Sequence, residues 1–117
     1  MKKKMVFEIG QGTSLRSNDY SRAGVRAVEN ALWKNSLNLA QAFGFEKSDM
    51  IVDVTIGVQK PDKIDIERIK KIFPYGVIYV KPQLGGLDIP ETENTAKTII
   101  AVAAIVVSFE IEVNRWQ

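Results

Sequence analysis

The clearest structural pattern in this 117-residue chain is the stretch MIVDVTIGV, from Met50 to Val58. Apolar side chains stand at every second position, and the positions between them include Asp53, Thr55 and Gly57. Strict alternation of this kind is typical of a strand that buries one of its faces. The sequence therefore predicts a strand over residues 50–58 with one face in the core.

Helices are predicted on both sides of this strand. Asn18 or Asp19 can cap a helix over residues 20–35, because a short acceptor side chain satisfies the free N–H groups of a first turn. A shorter helical piece is predicted at residues 37–43, and Asp65 can cap a further helix after the strand. Small residues recur on one side of the first helix, so we expect it to lie close to a sheet.

Three more strands are predicted. Residues 5–10 form a short first strand, which the glycine-rich stretch that follows interrupts, and residues 77–81 form another. Residues 97–113 form the last strand, which would run about 55 Å if fully extended. A bend or bulge is therefore expected near Ala103 and Ala104. Between these last two strands, Gly85-Gly86 predicts a hairpin turn.

This β-α-β-α-β-β order predicts a single α+β domain over residues 1–117, with a mixed sheet and its helices on one face. Helical connections favour parallel neighbouring strands, and the last two strands can pair antiparallel. Such a sheet leaves its second face uncovered. Residues 99–106 are apolar on both sides, so either another subunit covers that face or the curved strand covers its own core. We expect a homo-oligomer.

Composition excludes several kinds of chemistry. The chain has no cysteine and no histidine, which excludes thiolate nucleophiles, histidine relays and Cys- or His-based metal sites. No metal and no cofactor are predicted. The 16 basic and 14 acidic residues are interleaved, so no nucleic-acid partner is expected. The longest apolar run, residues 99–107, is too short to span a bilayer, and we expect a cytoplasmic protein without a membrane partner.

The segment from Gly10 to Ser17 is the first candidate site. It is predicted to join the carboxyl end of a strand to the start of a helix, where backbone N–H groups and the helix dipole favour an anion. Two interpretations stay open, a ligand site and a simple tight turn. The residues assigned to ligand binding are Gly10, Gln11, Gly12, Thr13, Ser14 and Arg16.

Two lysines form the second candidate. Lys60 and Lys81 each follow a predicted strand. If those strands are parallel neighbours of the first, a Ser14–Lys60 or Ser14–Lys81 pair could act as catalytic nucleophile and base, provided that burial lowers the lysine pKa. The alternative is that both lysines are ordinary solvated side chains at strand ends.

The element order resembles the Bacillus-type chorismate mutase fold, which the reactive-intermediate deaminases also use. Those proteins are trimers with ligand sites in the clefts between subunits, so the resemblance implies a trimer with an interfacial site. A further similarity is to the repeat domains of the ring-opening amidohydrolases, which use a Ser-Lys pair. Leu84-Gly85-Gly86 is the nearest match to their Ser-Gly-Gly stretch.

The N-terminal region is similar to a small family of conserved hypothetical proteins with the signature Gly-x-Gly-x-Asp-x-His-Gly. Gly10 and Gly12 match it, whereas Ser14 stands at the Asp position, Arg16 at the His position and Ser17 at the last Gly. An arginine stays charged and binds anions, but it does not shuttle protons near neutral pH. The departure favours binding, or a different reaction, at this position.

The favoured hypothesis is an oligomer that binds a small anionic or carbonyl-bearing metabolite in a cleft between subunits. Residues 10–16, with Lys60 or Lys81, would build the cleft. The alternatives are a non-catalytic assembly protein whose sheet face is an oligomer interface, and a Ser-Lys amidohydrolase-like enzyme. A stable monomer would contradict the interfacial site.

Overall fold

The protein is described by a computed structural model, which covers five stretches of the chain: residues 2–15, 18–33, 50–74, 76–90 and 97–110. The helical piece predicted at residues 37–43, and the predicted site residues Arg16 and Ser17, lie outside these stretches. The described elements are β1 (Lys2–Leu15), α1 (Tyr20–Trp33), β2 (Met50–Val58), a 3-10 turn (Pro61–Lys63), α2 (Ile66–Lys70), β3 (Val77–Leu84), β4 (Leu87–Pro90) and β5 (Lys97–Glu110).

The predicted α+β class is confirmed, and the strands form one five-stranded mixed sheet in the order β1-β5-β2-β3, with β4 also paired to β5. β2 and β3 are parallel, and β4 and β5 are antiparallel, as predicted. The expectation that β1 and β2 are neighbours is wrong, because β5 inserts between them and runs antiparallel to both. A strand that is apolar on both faces suits this central position.

The bulge predicted near Ala103 and Ala104 is wrong. β5 keeps an unbroken register through these two residues against both β1 and β2. Partners on both sides supply hydrogen bonds along the strand, which keeps it extended. The irregularity lies instead on β1, between Lys4 and Val6.

The predicted hairpin at Gly85-Gly86 is also wrong, because β3 pairs with β2 while β4 pairs with β5. The chain instead crosses the end of β2. The Gly85 N–H donates to the Val58 carbonyl oxygen at 3.0 Å, and the Gln59 side-chain amide donates to the Gly85 and Gly86 carbonyl oxygens at 3.0 and 3.1 Å. β4 therefore continues along β5 in line with β2.

The core lies between the sheet and the two helices. The alternating residues of β2 are buried as predicted, and those of β5 face the same side. Ser21 connects the two helical segments, since its hydroxyl donates to the Lys63 carbonyl at 3.3 Å and accepts the Asp65 N–H at 2.7 Å. The core residues on this side include Ala23, Ala27, Ala31, Val52, Val54, Ile56, Ile69, Ala101, Ala103 and Ile105.

The other side of the sheet, which we call the open face, is uncovered over much of its area. It carries the side chains that alternate with the core positions. Eight of the ten large apolar side chains that are exposed among the described residues lie on it: Phe7, Ile9, Leu15, Val77, Tyr79, Leu87, Ile89 and Val102. The predicted uncovered face is confirmed for these strands, and the subunit expected to cover it stays a prediction.

Candidate functional site

The stretch from Gly10 to Ser14 is part of β1 and not a loop, so the predicted strand break is wrong. A Cβ on Gly10 would overlap the Ala27 carbonyl oxygen and the Ala31 nitrogen. A Cβ on Gly12 would overlap the Ala27 nitrogen and lie 2.6 Å from the carbonyl carbon of Arg26. The two glycines therefore let α1 lie directly on the backbone of β1.

Strand geometry divides the predicted ligand-binding residues between two faces. Gly10, Gly12 and Ser14 are buried beneath α1, whereas Gln11 and Thr13 are exposed on the open face. Successive side chains of a strand point to opposite sides, so these residues do not converge on one ligand. Their individual roles in binding stay predictions.

A carboxylate of the chain occupies the first turn of α1. Asp19 caps this helix, and its Oδ1 accepts the Arg22 N–H at 3.0 Å. Its Oδ2 lies 3.5 Å from Nη1 of Arg68. An anion bound at this helix start would meet the negative charge of Asp19, so the geometry favours the capping role that the sequence predicted over an anion site.

The structure does not bring Ser14 and Lys81 together. Lys81 is exposed on the open face of β3, in register with Thr55, whereas Ser14 is fully buried on the helix side of β1. Lys60 is exposed just after β2, and β5 separates β2 from the strand that carries Ser14. The geometry therefore gives no support to a Ser14–Lys81 nucleophile and base.

A pocket of about 470 Å³ lies beside β1, lined by Ile9, Gly10, Gln11, Asn30 and Val102. Two of these, Gly10 and Gln11, belong to the predicted ligand-binding set. The Gln11 N–H donates to Oδ1 of Asn30 at 3.1 Å, which fixes the orientation of this side-chain amide in the pocket lining.

A second side chain of α1 also reaches β1. Nη1 of Arg26 donates to the Thr13 carbonyl oxygen at 2.8 Å. Among the described residues that line the pocket, none is charged. This part of the lining therefore combines apolar walls with amide groups.

A polar cluster that no sequence pattern indicates joins the start of α1 to β4 and β5, and it consists of Tyr20, Asp88 and Lys97. The Tyr20 hydroxyl donates to Oδ2 of Asp88, and the Lys97 ammonium lies 3.3 Å from the same oxygen. The ammonium also lies 5.4 Å from the centre of the Tyr20 ring, within the range of a cation–π contact. Oδ1 of Asp88 is buried with no hydrogen-bond partner in the described part of the chain.

The environment of this cluster shifts two pKa values. Burial and the hydrogen bond to Asp88 raise the pKa of Tyr20 above its ordinary value. The hydrogen bond with Tyr20 raises the pKa of Lys97. The folded protein thus holds both protons more tightly than the unfolded chain, so Tyr20 is a neutral phenol and Lys97 an ammonium at physiological pH.

Stability is therefore expected to fall in alkali. A group whose pKa is raised by folding contributes stability below its unfolded value and loses it as the pH rises through the folded value, here above about pH 10. Urea unfolding at a series of pH values from about 9 to about 11 should show a steeper decline for the natural protein than for Tyr20→Phe. Lys71→Gln, which removes an exposed amine outside both the cluster and the open face, is the control. Equal slopes for the natural protein and Tyr20→Phe would contradict the role of Tyr20.

Two negative findings apply to the described residues. Within them, no group of three or more His, Cys, Asp or Glu side chains could hold a metal ion. None of the helices described there is long and apolar enough to cross a membrane.

One protein-family model covers the described elements from β1 to Val107 of β5. The family model of conserved hypothetical proteins, Lin0512_fam, matches residues 4–107. The chain belongs to the Lin0512_fam family. This agrees with the predicted likeness to a conserved hypothetical family, and the Lin0512_fam match spans β1 to most of β5, including the pocket and the cluster. The comparison with curated proteins gave no match.

A solved structure supports the fold of this Lin0512_fam protein. It is the crystal structure of an FtsZ-like protein of unknown function from Nostoc punctiforme, which is 24% identical and superposes with a TM-score of 0.84. The alignment covers 94% of this chain and 98% of that one. At this identity the likeness shows the fold alone.

Proposed function

We propose that the protein binds a small, neutral, carbonyl-bearing molecule in the pocket beside β1. The observation that carries the proposal is the fixed amide of Asn30 in the pocket lining, whose Oδ1 accepts the Gln11 N–H. Small-molecule sites typically combine apolar walls with a few oriented polar groups. Ile9 and Val102 supply the apolar walls here.

The charge of the lining selects between the two ligand classes that the sequence left open. An anionic ligand loses hydration on binding and needs a cation or several donors in return. The described lining residues carry no charge, and Nη1 of Arg26 on the same helix donates to the Thr13 carbonyl oxygen. A ketone or amide oxygen needs only a donor such as Nδ2 of Asn30. The geometry therefore favours the carbonyl-bearing class.

The test is a titration of the ¹⁵N-labelled protein with cyclohexanone and 2-pyrrolidone, followed by NMR. Saturable shifts are expected at the Asn30 side-chain amide and the Gln11 backbone N–H, and inorganic phosphate should give none. A ligand that binds only the folded state also raises its stability, by about 1.4 kcal/mol at ten times its Kd. A thermal shift at high probe concentration gives the second readout.

Asn30→Asp is the decisive variant. The carboxylate still accepts the Gln11 N–H, so the fold should be retained, but the Nδ2 donor is lost and binding of both probes should fall at least tenfold. Glu29→Gln changes a neighbouring exposed position of α1 outside the pocket and should bind as the natural protein does. Saturable binding that Asn30→Asp leaves unchanged, or no binding of either probe, would overturn the proposal.

The predicted homo-oligomer with an interfacial cleft also stays a proposal, and the trimer that the chorismate mutase-like resemblance implies competes with the dimer inferred below. The support for an interfacial cleft is that Ile9 and Val102 line the pocket and also belong to the open face. A partner on that face would complete the site. The Ser-Lys amidohydrolase alternative has no supporting contact, since Ser14 and Lys81 lie on opposite faces of the sheet.

A further inference from the structure

We infer that the open face packs against the same face of a second copy of this chain, in a two-fold sheet-on-sheet dimer with the helices outside. The occupant is a second copy because the face is apolar, nearly free of charge and of the right area, while both edges of the sheet are protected. The inference does not depend on the proposed ligand, except for the step that concerns the pocket.

The first support is the distribution of exposed apolar side chains. Isolated exposed apolar residues are common, but a contiguous patch on a soluble protein marks an interaction surface. Here the exposed apolar side chains lie together on β1, β3, β4 and β5. Phe7, Tyr79 and Leu87 are each about three-fifths exposed, at 61, 58 and 58%.

The second support is charge. On the open face of β2, β3, β4 and the facing segments 7–15 of β1 and 98–106 of β5, Asp53 and Lys81 are the charged residues. Their charges cancel, so the face attracts neither a strongly acidic nor a strongly basic partner. A surface with one charge of each sign is instead compatible with a copy of itself, as a two-fold interface requires.

The third support comes from the two edge strands of the sheet, β1 and β3, which carry features that hinder pairing with another strand. On β1, the Gln11 N–H donates to the Asn30 side chain, and the Thr13 carbonyl oxygen accepts a hydrogen bond from the Arg26 side chain. β3, at the other edge, contains Pro82, which has no N–H to donate. Proteins protect sheet edges against unwanted pairing. Since both edges are protected and the face is not, the face is the surface built for association.

The area is also sufficient. Four strands lie side by side. With about 4.8 Å between neighbouring strands and a length of about nine residues at about 3.3 Å each, they form a flat patch of about 570 Å². The side chains project from this plane, so the accessible area of the face is larger than the flat area. Standard stable interfaces bury about 600 to about 1,000 Å² on each partner, so the flat value lies just below the lower end of that range and the projecting side chains bring the face into it.

The dimer also bears on the pocket. Ile9 and Val102 belong both to the pocket lining and to the open face, so the second copy would cover the pocket from that side and exclude water from it. This step rests on the proposed function. The interface and the ligand are tested separately, because the oligomeric state is measured without a ligand and the probes can be titrated into a monomeric variant.

The test is sedimentation velocity and multi-angle light scattering over a range of concentrations. The natural protein is expected to be a dimer, and Tyr79→Lys and Phe7→Lys should each weaken dimerisation about a hundredfold or more. Both side chains are already exposed in the single chain, so a circular dichroism melt should show that each variant still folds.

Leu84→Lys is the matched control. Leu84 lies on β3 and is 69% exposed, more than Tyr79, but its register partner is Val58, whose side chain points to the core side. Leu84→Lys should therefore remain a dimer. A monomeric natural protein overturns the inference, as does a trimer, because a single two-fold face closes at two copies. A dimer that both Tyr79→Lys and Phe7→Lys retain shows that it forms through another surface.

Discussion

Gly12→Ala is expected to lower the free energy of unfolding by about 3 kcal/mol, at the upper end of what overpacking costs. The added methyl group overlaps the Ala27 nitrogen and lies 2.6 Å from the carbonyl carbon of Arg26. These are backbone atoms of a helix, which cannot rotate away as the end of a side chain can. α1 has to shift as a whole, and with it the alanines that pack on β1 and β5.

Urea denaturation measures this loss, and the midpoint of thermal unfolding should fall by about 10 °C or more. Gly24→Ala is the matched control within α1. Its methyl group would meet Ile64 Cδ1 at 3.3 Å and otherwise ordinary contacts, and alanine is the better helix former by up to about 1 kcal/mol. Gly24→Ala should therefore leave stability unchanged or raise it. A Gly12→Ala variant as stable as Gly24→Ala would show that α1 does not rest on β1 as described.

Gly86→Ala is expected to cost about as much, for two reasons that add. Gly86 has φ +63, a conformation that costs other residues about 1–2 kcal/mol. A Cβ there would also overlap the Ile100 carbonyl oxygen and lie 2.9 Å from that of Gly57. The chain passes so close to β5 and the end of β2 at this crossing that no side chain fits.

Gly86→Asn separates the two reasons. Asparagine tolerates positive φ better than alanine does. If φ alone mattered, Gly86→Asn would recover most of the lost stability. Because the overlap with Ile100 applies to any Cβ, we expect Gly86→Asn to keep most of the loss, about 2 kcal/mol of the about 3 kcal/mol that Gly86→Ala costs in urea unfolding. Recovery of most of the loss in Gly86→Asn would contradict the close crossing.

The boundaries of β2 could be predicted from the sequence because its pattern depends only on which face is buried. The role of Gly10 and Gly12 could not, since a glycine selected for close packing looks the same in a sequence as one selected for a turn. The sequence therefore predicts an end of β1 five residues before Leu15 and assigns the glycines to a ligand loop. The contact of these glycines with Ala27 and Ala31, which distinguishes close packing from a turn, is a tertiary contact.

The candidate site shows the same limit. Gln11 could be predicted as a site residue because it follows a glycine near the start of α1, but Asn30 could not, since its partner is the Gln11 N–H at 19 positions' distance. Tyr20 and Asp88 are 68 positions apart and meet only because β4 pairs with β5. No local spacing signals such a contact. Likewise, the position of β5 between β1 and β2 follows from pairing in space, which the order of elements along the chain does not fix.

The two hydrogen bonds from α1 to β1 protect this edge of the sheet only while the helix stays docked. As long as α1 stays docked, Asn30 and Arg26 cover the Gln11 N–H and the Thr13 carbonyl. When local unfolding lifts α1, those groups and the glycine-lined side of β1 are uncovered together, and the strand becomes a template for another chain. Conditions that loosen the helix should thus start aggregation well before the sheet itself melts.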